Sequence, residues 1–344
     1  MRIRRTVPSI VILGGSNSLL TDGWVDRLKA IHPNSDGILN LSIGAATTAM
    51  GLYRLLSCTE LPEDPVIVWE YALNESNYFT RLRSSAAMLH HLEWLLELCA
   101  RRSYRVLPLI MHNRSEAGAN EDNAYRRRLA ETLAAHRLIP LDLRQFWREG
   151  FSHLDTSTLY KDEPHYSTAT GFLPAVADAV MAQADRARVP DGAARTRQRF
   201  ADRDLKLVCP DGAGGTQFKN RLMTCDIHPL SSPLRFTATG RLLACFLISS
   251  RSEPAIMFRS GGTEIGPFSA QINPDGRLRA KQLKHLLLWS EDRPPLDIGS
   301  TLDVTPTRME GVKPVVQHTM SWQEPAEGDI GEGGMIGVML ETGR

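Results

Sequence analysis

The chain is poor in cysteine, carries almost no excess of either charge and contains no long apolar run. Its five cysteines, Cys58, Cys99, Cys209, Cys225 and Cys245, are scattered, odd in number and never spaced Cys-x-x-Cys. That argues against a zinc ribbon or a disulfide framework and points to free thiols in a reducing compartment. The formal net charge is +1 and acids and bases are interspersed, so the basic stripe of a nucleic-acid binder is missing. No segment approaches the roughly 20 consecutive apolar residues of a membrane span. The basic start, Met1-Arg2-Ile3-Arg4-Arg5, leads into an apolar run broken by Pro8 and Ser9 and lacks a small-residue cleavage site. The expectation is a cytoplasmic protein that begins at Met1 and engages neither nucleic acid nor membrane.

What is present divides the chain. At 344 residues it is long for a single core, and two domains are expected. Over residues 1–188, short apolar runs alternate with helical patterns. Strands are expected at Ser9–Leu13, Gly37–Leu41, Pro65–Glu70, Tyr104–Ile110 and Leu138–Leu141. Helices are expected at Leu19–His32, Ala45–Cys58, Arg81–Arg102, Glu121–His136 and Ser167–Arg188. Such alternation implies a parallel sheet with both faces covered, a three-layer α/β/α sandwich. Leu89, Leu92, Leu95, Leu96 and Cys99 make one apolar helix face, with His90 and His91 expected at the surface beside it.

Residues 189–204 are rich in Arg, Ala and Asp and read as a linker. Residues 205–344 hold 16 of the 26 glycines and short apolar runs at Leu234–Thr239, Leu242–Ser249, Ala255–Arg259, Leu283–Trp289, Thr301–Thr305 and Gly337–Leu340. Turn signals such as Asn273-Pro274-Asp275-Gly276 separate some of them. This is the pattern of a β-sandwich or jelly-roll-like domain.

The first strand opens through Gly14-Gly15 onto Ser16, at the carboxyl end of a strand, where open α/β sheets build their sites. Serine chemistry needs a base and a group to orient it. Lys161-Asp162-Glu163-Pro164-His165-Tyr166-Ser167 offers both, since an Asp three residues before a His can fold back onto Nδ1–H and leave Nε2 facing outward. The same residues also read as a plain turn with Ser167 as a helix N-cap. Gly44, after the second strand, and Asn74, after the third, can supply a backbone and a side-chain N–H to a developing oxyanion. His112 and Asn17 are weaker candidates for substrate contact. His153 and Asp155 read as loop residues, and Trp69 and Tyr71 as core. No Gly-x-Ser-x-Gly elbow and no Gly-x-Gly-x-x-Gly loop is present at this turn.

In that order of residues, the first 7–188 positions resemble the SGNH, or GDSL-like, hydrolases, a family of α/β/α esterases, lipases, carbohydrate deacetylases and some acyltransferases. The resemblance implies Ser16 as nucleophile, His165 as base and Asp162 orienting it. It also implies an oxyanion hole of Ser16 N–H, Gly44 N–H and the Asn74 side chain. Gly15 stands where the family usually has Asp, and Ala72-Leu73-Asn74-Glu75 where it usually has Gly-x-Asn-Asp. The implied activity is acyl transfer through an acyl-serine, with no metal and no organic cofactor. The expected substrate is a small-molecule or saccharide ester, an O-acetyl group first. An O-acyltransferase using the same residues and a non-catalytic glycan-binding or assembly protein are the alternatives, and a homo-oligomer is compatible with all three.

Overall fold

The computed structural model describes residues 7–82, 84–119, 121–192, 198–212, 214–220, 222–250, 252–272, 281–321 and 333–344. They fall into two units: Met1–Arg83 with Met88–Gln198, and Ser84–Ala87 with Arg199–Arg344.

The first unit is built on five strands, β1 (Ile10–Gly14), β2 (Ile38–Asn40), β3 (Val66–Glu70), β4 (Arg105–Ile110) and β5 (Leu141–Asp142), in the parallel order β2-β1-β3-β4-β5. Its helices are α1 (Trp24–Ile31), α2 (Thr48–Ser57), α3 (Ala72–Leu82), α4 (Ala86–Arg101), α5 (Arg114–Ala117), α6 (Ala124–Ala135), α7 (Leu143–Gly150), α8 (Thr156–Leu159) and α9 (Phe172–Ala184). All of β1 and β3 is buried, as strands covered on both faces must be. Alternate residues divide between the faces. Ile10, Ile12, Val66, Val68, Leu107 and Leu109 share a core with Trp24 and Leu28 of α1 and with Phe172, Val176 and Val180 of α9. On the opposite face Trp69 Nε1 donates to Thr48 Oγ1 of α2 at 2.9 Å. Because β1 lies between β2 and β3, the chain reverses its direction of winding there, and a crevice opens beyond the carboxyl end of β1.

Four of the five expected strands are present, whereas β5 lies at Leu141–Asp142 and shares only Leu141 with the expected Leu138–Leu141, and several helices differ. α1 starts at Trp24, five residues late, because Ser16–Leu19 form a separate 3₁₀ turn and Asp22 has φ +56°. α2 starts at Thr48, because Ala45 has φ +53° and cannot continue a right-handed helix. The expected helix Arg81–Arg102 is two helices, and α3 extends well ahead of it. α9 starts at Phe172, with Gly171 and not Ser167 at its N-cap. His90 and His91 are buried, 2% and 0% exposed, and not at the surface.

The second unit is antiparallel. Its strands are β6 (Arg203–Val208), β7 (Thr216–Lys219), β8 (Thr224–Ile227), β9 (Leu234–Thr237), β10 (Gly240–Ser249), β11 (Ala255–Ser260), β12 (Thr263–Ser269), β13 (Gln282–Leu287), β14 (Leu296–Ile298), β15 (Thr301–Thr307), β16 (Val316–Ser321) and β17 (Gly334–Gly343). One sheet runs β16-β13-β10-β17-β6 with β14 beside β10, another β12-β11-β15-β9, and β7 and β8 form a hairpin. Leu242, Leu247, Val338 and Leu340 of the larger sheet share one core with Phe236, Ile256, Phe258 and Leu302 of the other, which makes a β-sandwich. β6 begins inside the segment expected as linker. The Asn273–Gly276 turn and the Met1–Arg5 start lie outside the described residues. Among the described residues no helix is long and apolar enough to cross a membrane.

Candidate active site

At the end of β1 the chain passes through two glycines into the 3₁₀ turn Ser16–Leu19. Both glycines are imposed by close approach. A Cβ on Gly14 would lie 2.5 Å from Ser18 Oγ and 2.7 Å from Glu70 Oε2, and a Cβ on Gly15 would lie 2.5 Å from Asn74 Nδ2. Glu70 ends β3 and points its carboxyl into this turn, where Oε2 accepts from Gly15 N–H and from Ser18 O–H, each at 2.8 Å. Burial pushes the Glu70 carboxyl up to about 7, against the opposing pull of the Gly15 and Ser18 donors and of Arg126. Asn40 Nδ2 donates to Ser18 O at 2.8 Å and adds a tie from β2.

The residues at 161–165 form a tight loop whose ends are clamped by the antiparallel bridge between Tyr160 and Tyr166. Those two rings lie 4.4 Å apart, and Tyr166 stacks on Phe172 at 5.5 Å, so the loop is anchored in the core. Within it Asp162 Oδ1 accepts from His165 backbone N–H at 3.0 Å and lies 2.7 Å from His165 Nδ1. His165 Nε2 lies 2.8 Å from Ser16 Oγ. With hydrogen on Nδ1, the imidazole donates to Asp162 and its Nε2 accepts the Ser16 hydroxyl proton. The Asp162 and His165 side chains remain 48% and 29% exposed, so the dyad faces solvent and not the core.

Asn74 sits in the first turn of α3 and is 7% exposed. Its Nδ2 donates to Ala46 O at 2.9 Å, which uses one of its two hydrogens and leaves the other beside Gly15. Gly44 lies in a turn closed by Ala46 N–H to Ile43 O at 3.3 Å and tied to β1 by Ile43 N–H to Gly14 O at 3.0 Å. Among the described residues neither Ser16 N–H nor Gly44 N–H is given to a protein acceptor. Ser16, Gly44, Asn74, Asp162 and His165 are therefore brought to the ends of neighbouring strands.

The two weaker candidates are placed differently. Asn17 is 2% exposed; Nδ2 donates to Pro164 O at 2.8 Å and Oδ1 accepts from Tyr166 N–H at 3.0 Å. Its amide is committed to the loop that carries His165, and the expectation of substrate contact does not fit. His112 is also 2% exposed, with Nε2 at 3.2 Å from both Asp142 oxygens, while Tyr160 O–H donates to its carbonyl at 2.9 Å. It too is walled off from substrate, and its basicity is lowered by burial despite Asp142. Asp155 caps α8 through Thr158 N–H at 2.9 Å, the loop role expected of it.

Sequence reasoning missed the buried polar layer behind the site. Glu75 accepts from Thr48 N–H and Oγ1 at 2.7 Å each and from Tyr125 O–H at 2.7 Å, and burial pushes its carboxyl up to about 7. Arg126 is buried against Glu116 at 2.8 Å and donates to Met111 O at 2.8 Å. Burial disfavours the Glu116 charge, but Arg126, Ser76 and Asn113 N–H outweigh it and hold the carboxyl at about 2. The one signal in the sequence was the acid closing an otherwise apolar strand, Val66-Ile67-Val68-Trp69-Glu70. Among the described residues no group of three or more His, Cys, Asp or Glu is placed to hold a metal.

No family model matches the chain, and no curated protein matches it by sequence. By structure it is similar to a two-domain esterase (CEX) active on acetylated mannans, with a TM-score of 0.57, 12% identity, and 98% of this chain and 92% of that one covered. The same esterase co-crystallized with mannopentaose gives a TM-score of 0.59 at 12% identity, over 98% and 91% of the two chains. A GDSL-like lipase (BT0569) from Bacteroides thetaiotaomicron matches 51% of this chain and 88% of its own, with 16% identity and a TM-score of 0.37. The two-domain architecture, parallel α/β sheet followed by antiparallel sheets, is thus shared with an esterase across nearly the whole chain.

Proposed function

We propose that the protein is a serine esterase that removes an O-acyl group, acetyl first, from a saccharide through an acyl-serine intermediate. The observation that carries this reading is the alignment of Ser16 Oγ, His165 Nε2, His165 Nδ1 and Asp162 Oδ1 through contacts of 2.8 and 2.7 Å. His165 takes the hydroxyl proton as Ser16 Oγ attacks the ester carbonyl, and Asp162 holds the ring in the tautomer that can do so. The negative charge that develops on the carbonyl oxygen is met by Ser16 N–H, Gly44 N–H and the second hydrogen of Asn74 Nδ2, donors fixed before the reaction begins. His165 then protonates the departing sugar hydroxyl. Water, deprotonated by the same imidazole, releases the acyl group from Ser16. The exposed position of the dyad supports a large or polymeric alcohol, and the fold shared with an acetylated-mannan esterase supports a saccharide.

The test is acetate release from acetylated mannan and from p-nitrophenyl acetate by the wild-type chain and by Ser16→Ala. Turnover by the wild type and a loss of about 10³-fold or more in a folded Ser16→Ala variant are expected. Equal rates for the two chains, or no release from any acyl ester, overturn the reading. Formation of acetylated acceptor sugar in place of free acetate would convert it to an acyltransferase.

A further inference from the structure

Resting on that reading of Gly44 as an oxyanion donor, a second residue of α3 bears on the same turn. Ala45 is exposed and has φ +53°, a left-handed conformation that alanine adopts at an energetic cost. It occupies the third position of the turn Ile43–Ala46, where turns of this backbone shape take glycine or asparagine. Something must therefore hold it. Two side chains do, and they lie four residues apart on one face of α3. Asn74 Nδ2 donates to Ala46 O at 2.9 Å, and Tyr78 O–H donates to Ala45 O at 2.8 Å.

We infer that Tyr78 is a positioning residue for the oxyanion site. Its hydroxyl keeps Ala45 left-handed and thereby fixes the Gly44 N–H against Ser16. At the front the turn is fixed by Ile43 N–H to Gly14 O, and Gly14 adjoins the nucleophile turn. At the back its carbonyls are held by Tyr78 and Asn74. Without the Tyr78 hydroxyl, Ala45 relaxes toward negative φ and weakens the turn bond from Ala46 N–H to Ile43 O, the carbonyl of the same peptide that carries the Gly44 N–H. The donor then loses its direction toward the oxyanion, while the substrate's ground-state contacts persist. A tie of this kind acts on turnover and not on binding.

The experiment measures kcat and KM for p-nitrophenyl acetate, with thermal unfolding alongside, on the full chain and on Tyr78→Phe, Ala45→Gly, Ala45→Val and Tyr78→Phe/Ala45→Gly. Tyr78→Phe is expected to lower kcat about tenfold with KM within about twofold of wild type, the scale of one lost hydrogen bond. Glycine accepts positive φ without cost, so Ala45→Gly restores kcat to within about threefold in the Tyr78→Phe background. Ala45→Val, at an exposed position where a β-branched residue resists positive φ, lowers kcat with Tyr78 intact. It reads the same dependence if Tyr78→Phe fails to fold. Wild-type kcat in folded Tyr78→Phe or in Ala45→Val, or a folded double variant no faster than Tyr78→Phe, overturns the inference. An inactive wild-type chain overturns the esterase reading itself, whereas an active chain indifferent to Tyr78 removes only the positioning role.

Discussion

Gly15 and Asn74 are packed so closely that a methyl group on Gly15 would stand 2.5 Å from Asn74 Nδ2. The amide that donates to Ala46 O therefore fits only because the residue before Ser16 has no side chain. This gives a physical reason for glycine at the position where the hydrolase pattern that the sequence resembles has aspartate. Gly15→Ala is expected to push the Asn74 amide aside and lower kcat by about 10-fold or more, toward the loss seen on deleting an oxyanion donor. Gly15→Asp does the same with a longer side chain. Steady-state kinetics on both variants, with circular dichroism to confirm the fold, checks this; wild-type kcat in Gly15→Asp would show that the amide has room to move.

Asn17 spans the loop on both sides of His165, bonding Pro164 O and Tyr166 N–H. Asn17→Asp keeps the acceptor for Tyr166 but sets a carboxylate oxygen against the Pro164 carbonyl in a buried place. The expected result is a slower enzyme with a lower unfolding free energy, by about 1–3 kcal/mol for the unsatisfied group. Asn17→Ala should cost a similar amount. Urea unfolding of the three chains gives the comparison, and equal midpoints would contradict it.

Glu70 and Glu75 are both pushed up to about 7 by burial from an ordinary value of 4.5. Between those values the folded chain keeps protons that the unfolded chain has released. The contribution of each to stability is then full below about 4.5 and is lost as the pH rises through about 7. Unfolding free energy should accordingly fall by a few kcal/mol between pH 5 and pH 8. Glu75→Gln can give its oxygen to Thr48 and its amide to Tyr125, and should flatten that slope. Denaturation series at the two pH values, with and without the substitution, are the measurement.

The acid limb has the opposite sign and other residues behind it. Glu116 is held at about 2 as described, and Asp142 is also held at about 2, because His112, the Gln145 N–H and Arg144 overcome its burial. Their stabilisation is present above the ordinary values of 4.5 and 3.8 and is lost as the pH falls toward 2. Glu116→Gln leaves Arg126 buried without its counter-ion and should cost about 3–5 kcal/mol at neutral pH. The variant's stability should then change less than the wild type's between pH 5 and pH 3.

Local chemistry made part of the site readable. The Asp162–His165 spacing closes within one loop, and the glycines before Ser16 announce a sharp turn, so neither depends on distant chain. Asn17 could not be read in the same way, since its partners lie 147 and 149 residues away. α3 was hidden because its first turn, Ala72-Leu73-Asn74-Glu75-Ser76, is buried on all sides and mixes apolar with polar residues that serve the internal network, which erases the period of 3.6. His90 and His91 were misplaced for a related reason: α4 is covered on more than the one face its leucines mark. In the second unit the strong central strands were legible. β6 and β7, with their largely exposed or half-exposed residues, were not.

His165 and Asp162 belong to one short loop, so the juxtaposition that must be created across the chain is that of Ser16 with His165, 149 positions apart. That contact forms only when α9, which follows the loop, docks beside α1, which follows the serine, in their shared core. Contacts of such sequence separation carry a larger loop-closure cost than local ones. The Ser16–His165 contact is therefore a reporter of the packed state of α1 and α9 in the first unit. A chain trapped one helix short of completion would hold every functional residue and yet no reactive hydroxyl.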